Sequence, residues 1–414
     1  MTLIARLLGP EKQGQYTLII LLPTILYTFL NSGISISTVY FVGIKKYSDQ
    51  EIYFTNLFFS LALSFFSMVI GLLVTVFFSD YFFANIPIQL LLYALLIIPM
   101  IYLQKILQSF LHSKEDFLNL NFVVIINQLG LLFFSLLFVW YLNLSVLGAV
   151  ISFACTQLLM VIVSYSIIQK KYEFGFSLTS SLPYLKDSLI FGLKGHISNI
   201  LTFLSYRIDV FLIAYFLDDL SVGIYSIAVL LVERIWLIPQ AVSSVLFARV
   251  SNLKTEIEKT NFTAFASRNA LFLTFLSGSV LALISPWLIQ FLFGNEFNGS
   301  VIPFLYMIPG VVLFALSKIL ANDFVGRGRP EINSFIAFFV AILNIILNIL
   351  LIPSFGIKGA AITTSICYGL DAFIKVIYFS LHNKISFFKF VLVRQSDFKF
   401  YFNKIIDLIN YNKK

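Results

Sequence analysis

Long apolar stretches, broken only by short gaps of charged and turn residues, run the whole length of the chain. A hydrocarbon core of about 30 Å needs about 20 mostly apolar residues in a helix. Eleven stretches meet that length: 16–42, 52–78, 88–111, 118–141, 146–168, 189–217, 223–247, 262–293, 301–325, 332–352 and 359–381. Pro23, Pro99, Pro239, Pro286, Pro309 and Gly33 fall inside them. Neighbouring helices can satisfy the carbonyls that such residues free at membrane depth, so they read as kinks within spans. The pattern predicts an all-α polytopic membrane protein.

The stretches repeat. Gly14 and Tyr16 in LLGPEKQGQYTLIILLP lie over Gly223 and Tyr225 in FLDDLSVGIYSIAVLLV at an offset of 209, and Gly148 and Ala149 lie over Gly359 and Ala360 at 211. The turn with Ser113 and Lys114 lies over that with Gly326 and Arg327 at 213. Ordered matches at a slowly drifting offset predict two parallel helical bundles related by an axis along the membrane normal. The expected organisation is an N-lobe of five spans over 1–170, a linker over 171–188, a C-lobe of six spans over 189–383 and a basic tail over 384–414. Subtracting the offset from the second half's first helix places its counterpart ahead of Met1. A parent of twelve spans, with a start upstream of Met1, is the resulting expectation.

Composition turns the bilayer from one option into the solvent. The 414 residues are 59% hydrophobic and 12% charged, about half the charge of a soluble domain. The net charge of +8 would normally raise nucleic acid as a partner, but the cations sit in gaps between spans, where they report topology. One set of alternate gaps, with the tail, holds 18 Lys and Arg: Lys45, Lys46, Lys114, Lys170, Lys171, Lys186, Arg249, Lys254, Lys259, Arg327, Arg329 and seven from Lys384 to Lys414. The other holds Arg6, Lys12 and Lys358. The first set and the C-terminus are therefore expected in the cytoplasm, with the residues before Tyr16 outside. Cys155 and Cys367 lie in apolar runs without a CxxC pair, giving neither a disulfide framework nor a zinc site.

The stretch ARLLGPEKQGQY, the following apolar helix with NSGIS, and YRIDVFLIAYFLDDLSVGIYSIA in the second half resemble the polysaccharide-transporter branch of the multidrug/oligosaccharidyl-lipid/polysaccharide exporter superfamily, the Wzx-type repeat-unit flippases. The resemblance implies a MATE-like fold of two six-helix lobes that alternates between inward-open and outward-open states. It implies a polyprenyl-diphosphate-linked oligosaccharide as substrate, carried from the cytoplasmic to the periplasmic leaflet of a bacterial inner membrane for O-antigen or related polysaccharide synthesis. A polysaccharide polymerase or chain-length regulator would then be a partner.

Ionisable groups inside spans are costly, by at least about 2.5 kcal/mol at the bilayer centre, and mark candidate sites. The basic ones are Lys105, Lys194, Arg207, Arg234, Arg268, Lys318 and Lys375, and the acidic ones Asp209, Glu233, Asp323 and Asp371. A cavity lined with cations would hold a diphosphate by charge-assisted hydrogen bonds. Arg207 and Arg234 head the candidates for that headgroup site, followed by Lys105, Lys318 and Lys194. Lys105 and Lys318 correspond at the offset of 213, two turns before a cytoplasmic turn, and are expected to face each other across a central cleft. Arg268 and Lys375 either lie near enough to cytoplasmic ends to reach the interface or are paired in place, so they rank below the others for substrate contact, and His196 reads as a packed polar residue. Asp209, Glu233, Asp323 and Asp371 are candidates either for a proton or sodium coupling site or for ion pairs, Asp323 and Asp371 balancing Lys318 and Lys375.

No cofactor beyond a coupling ion is expected. The three histidines are scattered, and HExxH, GxSxG and Walker patterns are absent, which argues against an enzyme. A cation-coupled multidrug antiporter is the nearest rival, with a membrane-embedded polymerase behind it. A drug cavity should be acidic or apolar, whereas here the membrane charges lean basic. The tail, mixing Phe, Ile and Lys, reads as an interfacial amphipathic segment on the anionic cytoplasmic leaflet.

Overall fold

A computed structural model describes residues 1–174, 181–253, 255–395 and 397. Among them all regular structure is helical, and eleven helical segments are long and apolar enough to cross a membrane. In chain order the helices are α1 (Thr2–Leu30), α2 (Ile34–Ile44), α3 (Asp49–Phe82), α4 (Ile88–Leu95), α5 (Ile98–Ser113), α6 (Phe117–Ser135), α7 (Ser145–Tyr172), α8 (Leu182–Phe216), α9 (Asp219–Ile235), α10 (Leu237–Asn252), α11 (Glu256–Phe293), α12 (Val301–Gly326), α13 (Glu331–Phe355), α14 (Ile357–His382) and the short α15 (Phe388–Val391). Phe65, Phe77, Leu283 and Trp287 stand well exposed on α3 and α11, as suits helices that face lipid.

Several expected spans differ at the points where a helix must break. The first was expected over 16–42, but α1 begins at Thr2 and ends at Leu30. Gly9, at φ 75°, bends α1 just before Pro10, so LLGPEKQG lies within a kinked helix. Asn31 then closes α1: its amide donates to the carbonyls of Tyr27 and Thr28, and its side-chain oxygen accepts from the Gly33 N–H at 2.9 Å. Ser32 and Gly33 both take positive φ, so Gly33 ends one helix and starts another rather than kinking a single one. Pro99 likewise follows a break at Leu96–Ile97, and Pro239 follows one at Trp236. Pro23, Pro286 and Pro309 do lie within continuous helices.

Compactness divides the chain into a first unit, Met1–Ser226 with Gln290–Phe297, and a second, Ile227–Ile289 with Asn298–Lys414. The repeat assigns α8 to the second half, but compactness groups it with the first. Within the first unit α1 and α9 cross at the two glycines that the repeat equates. A Cβ on Gly14 would lie 1.8 Å from the Asp219 carbonyl oxygen, and one on Gly223 would lie 1.8 Å from that of Pro10. The backbones touch there because neither residue carries a side chain.

The repeat extends to details that the alignment of apolar runs did not reveal. Ser48 and Glu51 form a capping box at the start of α3, and Thr255 and Glu258, 207 residues on, form one at the start of α11. Lys114 pairs with Asp49 in the first unit, and Arg327 pairs with Glu256 in the second.

The described start of the tail is anchored in the protein. Phe390 is fully buried in the core formed by α11, α12 and α14, and Asp397 is buried against Arg268. Residues 398–414, with Lys399, Lys404, Lys413 and Lys414, lie outside the described residues, as does Lys254.

Candidate functional site

In the first unit α5 turns a polar stripe inward. Lys105, Gln108, Ser109 and His112 sit at i, i+3, i+4 and i+7 on one helical face. With Tyr27, Thr28 and Asn31 at the end of α1, Ser35 at the start of α2 and Asn199 on α8, they line a cavity of about 440 Å³, within the range of small-ligand sites. Among the described residues no Asp or Glu contributes to its lining, and Lys105 is the one side chain there with a full formal charge. Lys105 is exposed into this space and makes no hydrogen bond or ion pair among the described residues.

The cavity wall is held by contacts around the α1–α2 break. Gly33 approaches Gly192 of α8 so closely that a Cβ would lie 2.2 Å from the Gly192 carbonyl oxygen. Ser37 and Ser188 share a hydrogen bond of 2.5 Å, and Lys46 and Tyr47 both donate to Asp187 at 2.6 Å. These donors hold the Asp187 carboxyl below the ordinary carboxylate range, the Lys46 ammonium first among them. His196 packs as expected, its Nε2 2.9 Å from the Phe29 carbonyl oxygen.

In the second unit Lys318, the repeat counterpart of Lys105, is enclosed by aromatics. Its ammonium lies 4.5 Å from the centre of the Trp236 ring and 5.4 Å from that of Phe314, and Tyr368 stacks on Phe314 at 4.6 Å. Contacts of this kind stabilise a desolvated ammonium by about 2 kcal/mol. Lys375 pairs with Asp371 at 2.7 Å, and Ser317 donates to Asp371 while accepting from Lys375 at 2.8 Å, all three buried. Asp323 does not balance Lys318. It pairs with Arg327 one turn on at 2.6 Å and accepts from Thr263 at 2.5 Å. Arg268 makes a bidentate pair with Asp397, at 2.5 and 2.6 Å. Among the described residues no group of three His, Cys, Asp or Glu could hold a metal ion.

The remaining candidates are dispersed. Asp209 accepts from the Tyr225 hydroxyl of α9, on the neighbouring helix. Arg207 is half-buried, as is Glu233. Arg234 is exposed on the span Asp219–Ser243 and makes no hydrogen bond or ion pair among the described residues. An arginine so placed in a bilayer needs water or an anion beside it. Lys194 lies on α8, but its side chain is outside the described residues. Sequence reasoning missed Gln108, Ser109, His112, Asn31 and Asn199. The signal for the first three was present, because they and Lys105 form a 3.6-residue polar stripe in an otherwise apolar helix.

Comparison with known proteins agrees on the architecture. The fold matches a multidrug resistance MATE family transporter of the MOP superfamily in its inward-facing conformation, with a TM-score of 0.76 over 92% of this chain and 93% of the other at 14% identity. It also matches the lipid II flippase MurJ in an inward closed conformation, at 0.75 over 94% and 85% with 19% identity. In sequence, a Haloferax volcanii protein assigned as a low-salt glycan biosynthesis flippase is 29% identical over half of this chain, and the chain spans 43% of that relative's length. A Shigella flexneri protein assigned to O-antigen transport is 23% identical over 89% of this chain and 90% of its own. Residues 3–302 match the family model described as polysaccharide biosynthesis protein. That match covers well over half of the chain, which is a multi-pass membrane protein with the MATE and MurJ fold and belongs to the polysaccharide biosynthesis protein family.

Proposed function

We propose that the chain is a flippase that moves a polyprenyl-diphosphate-linked oligosaccharide from the cytoplasmic to the periplasmic leaflet by alternating access. The observation that carries this reading is the polar cavity of the first unit, whose described lining residues include no carboxylate and one formal charge, Lys105, with no hydrogen-bond or ion-pair partner among them. A diphosphate supplies the missing counter-charge, and the amide and hydroxyl groups of Gln108, Asn31, Asn199 and Thr28 suit sugar hydroxyls. Relatives assigned to glycan flipping, O-antigen transport and, in Staphylococcus aureus, capsular polysaccharide biosynthesis support the same substrate class.

The cation-rich gaps support a cytoplasmic C-terminus in a bacterial inner membrane, and such a flippase would hand its product to a polymerase or chain-length regulator. A proton or sodium ion would drive the cycle, and Asp323 and Asp371, already paired with Arg327 and Lys375, are the weaker candidates for its site. The multidrug reading is disfavoured because a cationic drug would find no carboxylate in the Lys105 cavity.

The test is reconstitution in liposomes with a fluorescent polyprenyl-diphosphate sugar, following its access to an external quencher. The wild-type chain should flip the probe and Lys105→Ala should not, at equal incorporation. Equal rates for both, or flipping of a cationic dye instead, would overturn the reading.

A further inference from the structure

The Lys105 cavity is not closed on the side of α2. It shares Ser35, Ile36, Ser109 and His112 with a second space of about 550 Å³ whose other walls are Val39, Tyr40 and Phe191. The geometry points to this groove between α2 and α8 as the seat of the ligand's hydrocarbon chain, so that the first unit holds an anionic prenyl lipid by head and chain together. This assignment rests on the reading of the Lys105 cavity as the headgroup site.

Three observations carry it. The groove beyond the shared residues is lined by side chains without charge, and Tyr40 stacks on Phe191 with ring centres 4.1 Å apart at 14°, making a flat apolar wall. Its two sides are fixed to each other by the Ser37–Ser188 and Lys46–Asp187 bonds and by the backbone contact of Gly33 with Gly192. The space is therefore built before any ligand arrives. Third, the groove is continuous with a cavity whose one formal charge among the described residues is positive, which suits an occupant anionic at one end and apolar at the other.

A hydrocarbon chain gains little from leaving one apolar medium for another, since lipid tails are as apolar as the groove. The groove contributes instead by fixing the chain next to the cavity, which turns head binding into an intramolecular event at raised effective concentration. The expected signature is that chain length matters to affinity only while the groove is open.

The test uses the full chain in phosphatidylcholine nanodiscs, with binding of undecaprenyl diphosphate, geranyl diphosphate and inorganic diphosphate measured for wild type, Val39→Trp and Lys105→Ala. Val39→Trp, which fills the groove, should weaken undecaprenyl diphosphate at least tenfold, remove the preference for it over geranyl diphosphate and leave inorganic diphosphate unchanged. Lys105→Ala should weaken all three. Unchanged long-chain binding in Val39→Trp, or an equal loss for inorganic diphosphate, would overturn the groove assignment while leaving the headgroup site standing. Unchanged binding of all three probes in Lys105→Ala would remove the headgroup site and the groove assignment with it. Photocrosslinking of the unaltered protein covers a failure of Val39→Trp to fold. A diazirine on the prenyl chain should label peptides carrying Val39, Tyr40 and Phe191 in preference to a diazirine on phosphatidylglycerol, and equal labelling by both would refute the assignment.

Discussion

Replacing Gly14 by alanine tests whether the α1–α9 crossing depends on bare backbone. The added Cβ would stand 1.8 Å from the Asp219 carbonyl oxygen and 2.9 Å from the Gly223 nitrogen. Non-bonded heavy atoms rest at about 3.5–4.0 Å, and a gap of 0.5–1 Å forfeits a quarter to a half of each contact's attraction. The helices must therefore part by more than an ångström, which also stretches the Gln15–Asp219 hydrogen bond of 3.3 Å. Overpacking of this kind costs about 1–3 kcal/mol, or roughly 2–6 °C in Tm. Gly223→Ala should cost a similar amount, because its Cβ meets the Pro10 oxygen at the same 1.8 Å. Once one substitution has separated the helices the second meets less resistance, so the double variant should fall short of the sum by about 1 kcal/mol or more. Gly43→Ala is the control, since nothing lies within 4 Å of its Cβ. Thermal unfolding of the detergent-solubilised protein gives all four values. A Tm for Gly14→Ala equal to that of Gly43→Ala, or strict additivity in the double variant, would refute the backbone-contact argument.

Arginine at position 105 should retain substrate binding, while alanine should lower it by about 10- to 100-fold, the range of one or two charged hydrogen bonds; equilibrium binding of a lipid diphosphate reads both. Asp397→Asn should destabilise the second unit by about 3–5 kcal/mol through the uncompensated Arg268 charge, read as a loss of Tm. Arg268 holds the Asp397 carboxyl below its ordinary value, so its contribution is complete above about pH 4 and fades as pH falls through the lower folded value. The wild-type Tm should therefore show an acid step that the asparagine variant lacks. Arg327→Ala should cost several times more stability than Lys114→Ala. Arg327 binds fully buried Asp323 as well as Glu256, whereas Lys114 has one partly exposed partner.

The spans were legible because about twenty apolar residues between charges have few readings in water or lipid. The helix breaks were less so. Gly33 was visible, but its role as a terminator depends on the Asn31 cap and on Gly192, 159 positions away in the chain. Asp323 shows the opposite failure. Its partner Arg327 lies at i+4, in plain view, yet Lys318 was preferred because the turn cation had been spent on topology.

The two equivalent lysines show most clearly what position alone leaves open. Lys105 and Lys318 occupy the same place in the repeat, two turns before a basic turn, and the sequence treats them alike. Their neighbours do not match. The counterpart of Trp236 at the offset of 209 is Tyr27, and that of Phe314 at 213 is Ile101. In the second unit the two larger aromatics enclose the Lys318 ammonium, whereas in the first Tyr27 turns its ring edge-on to Tyr102 at 4.9 Å. Among the described residues no aromatic face lies over Lys105, which faces a polar cavity. Which copy of a duplicated cation stays free for a ligand is thus decided by ring size on a neighbouring helix, a difference of two residues.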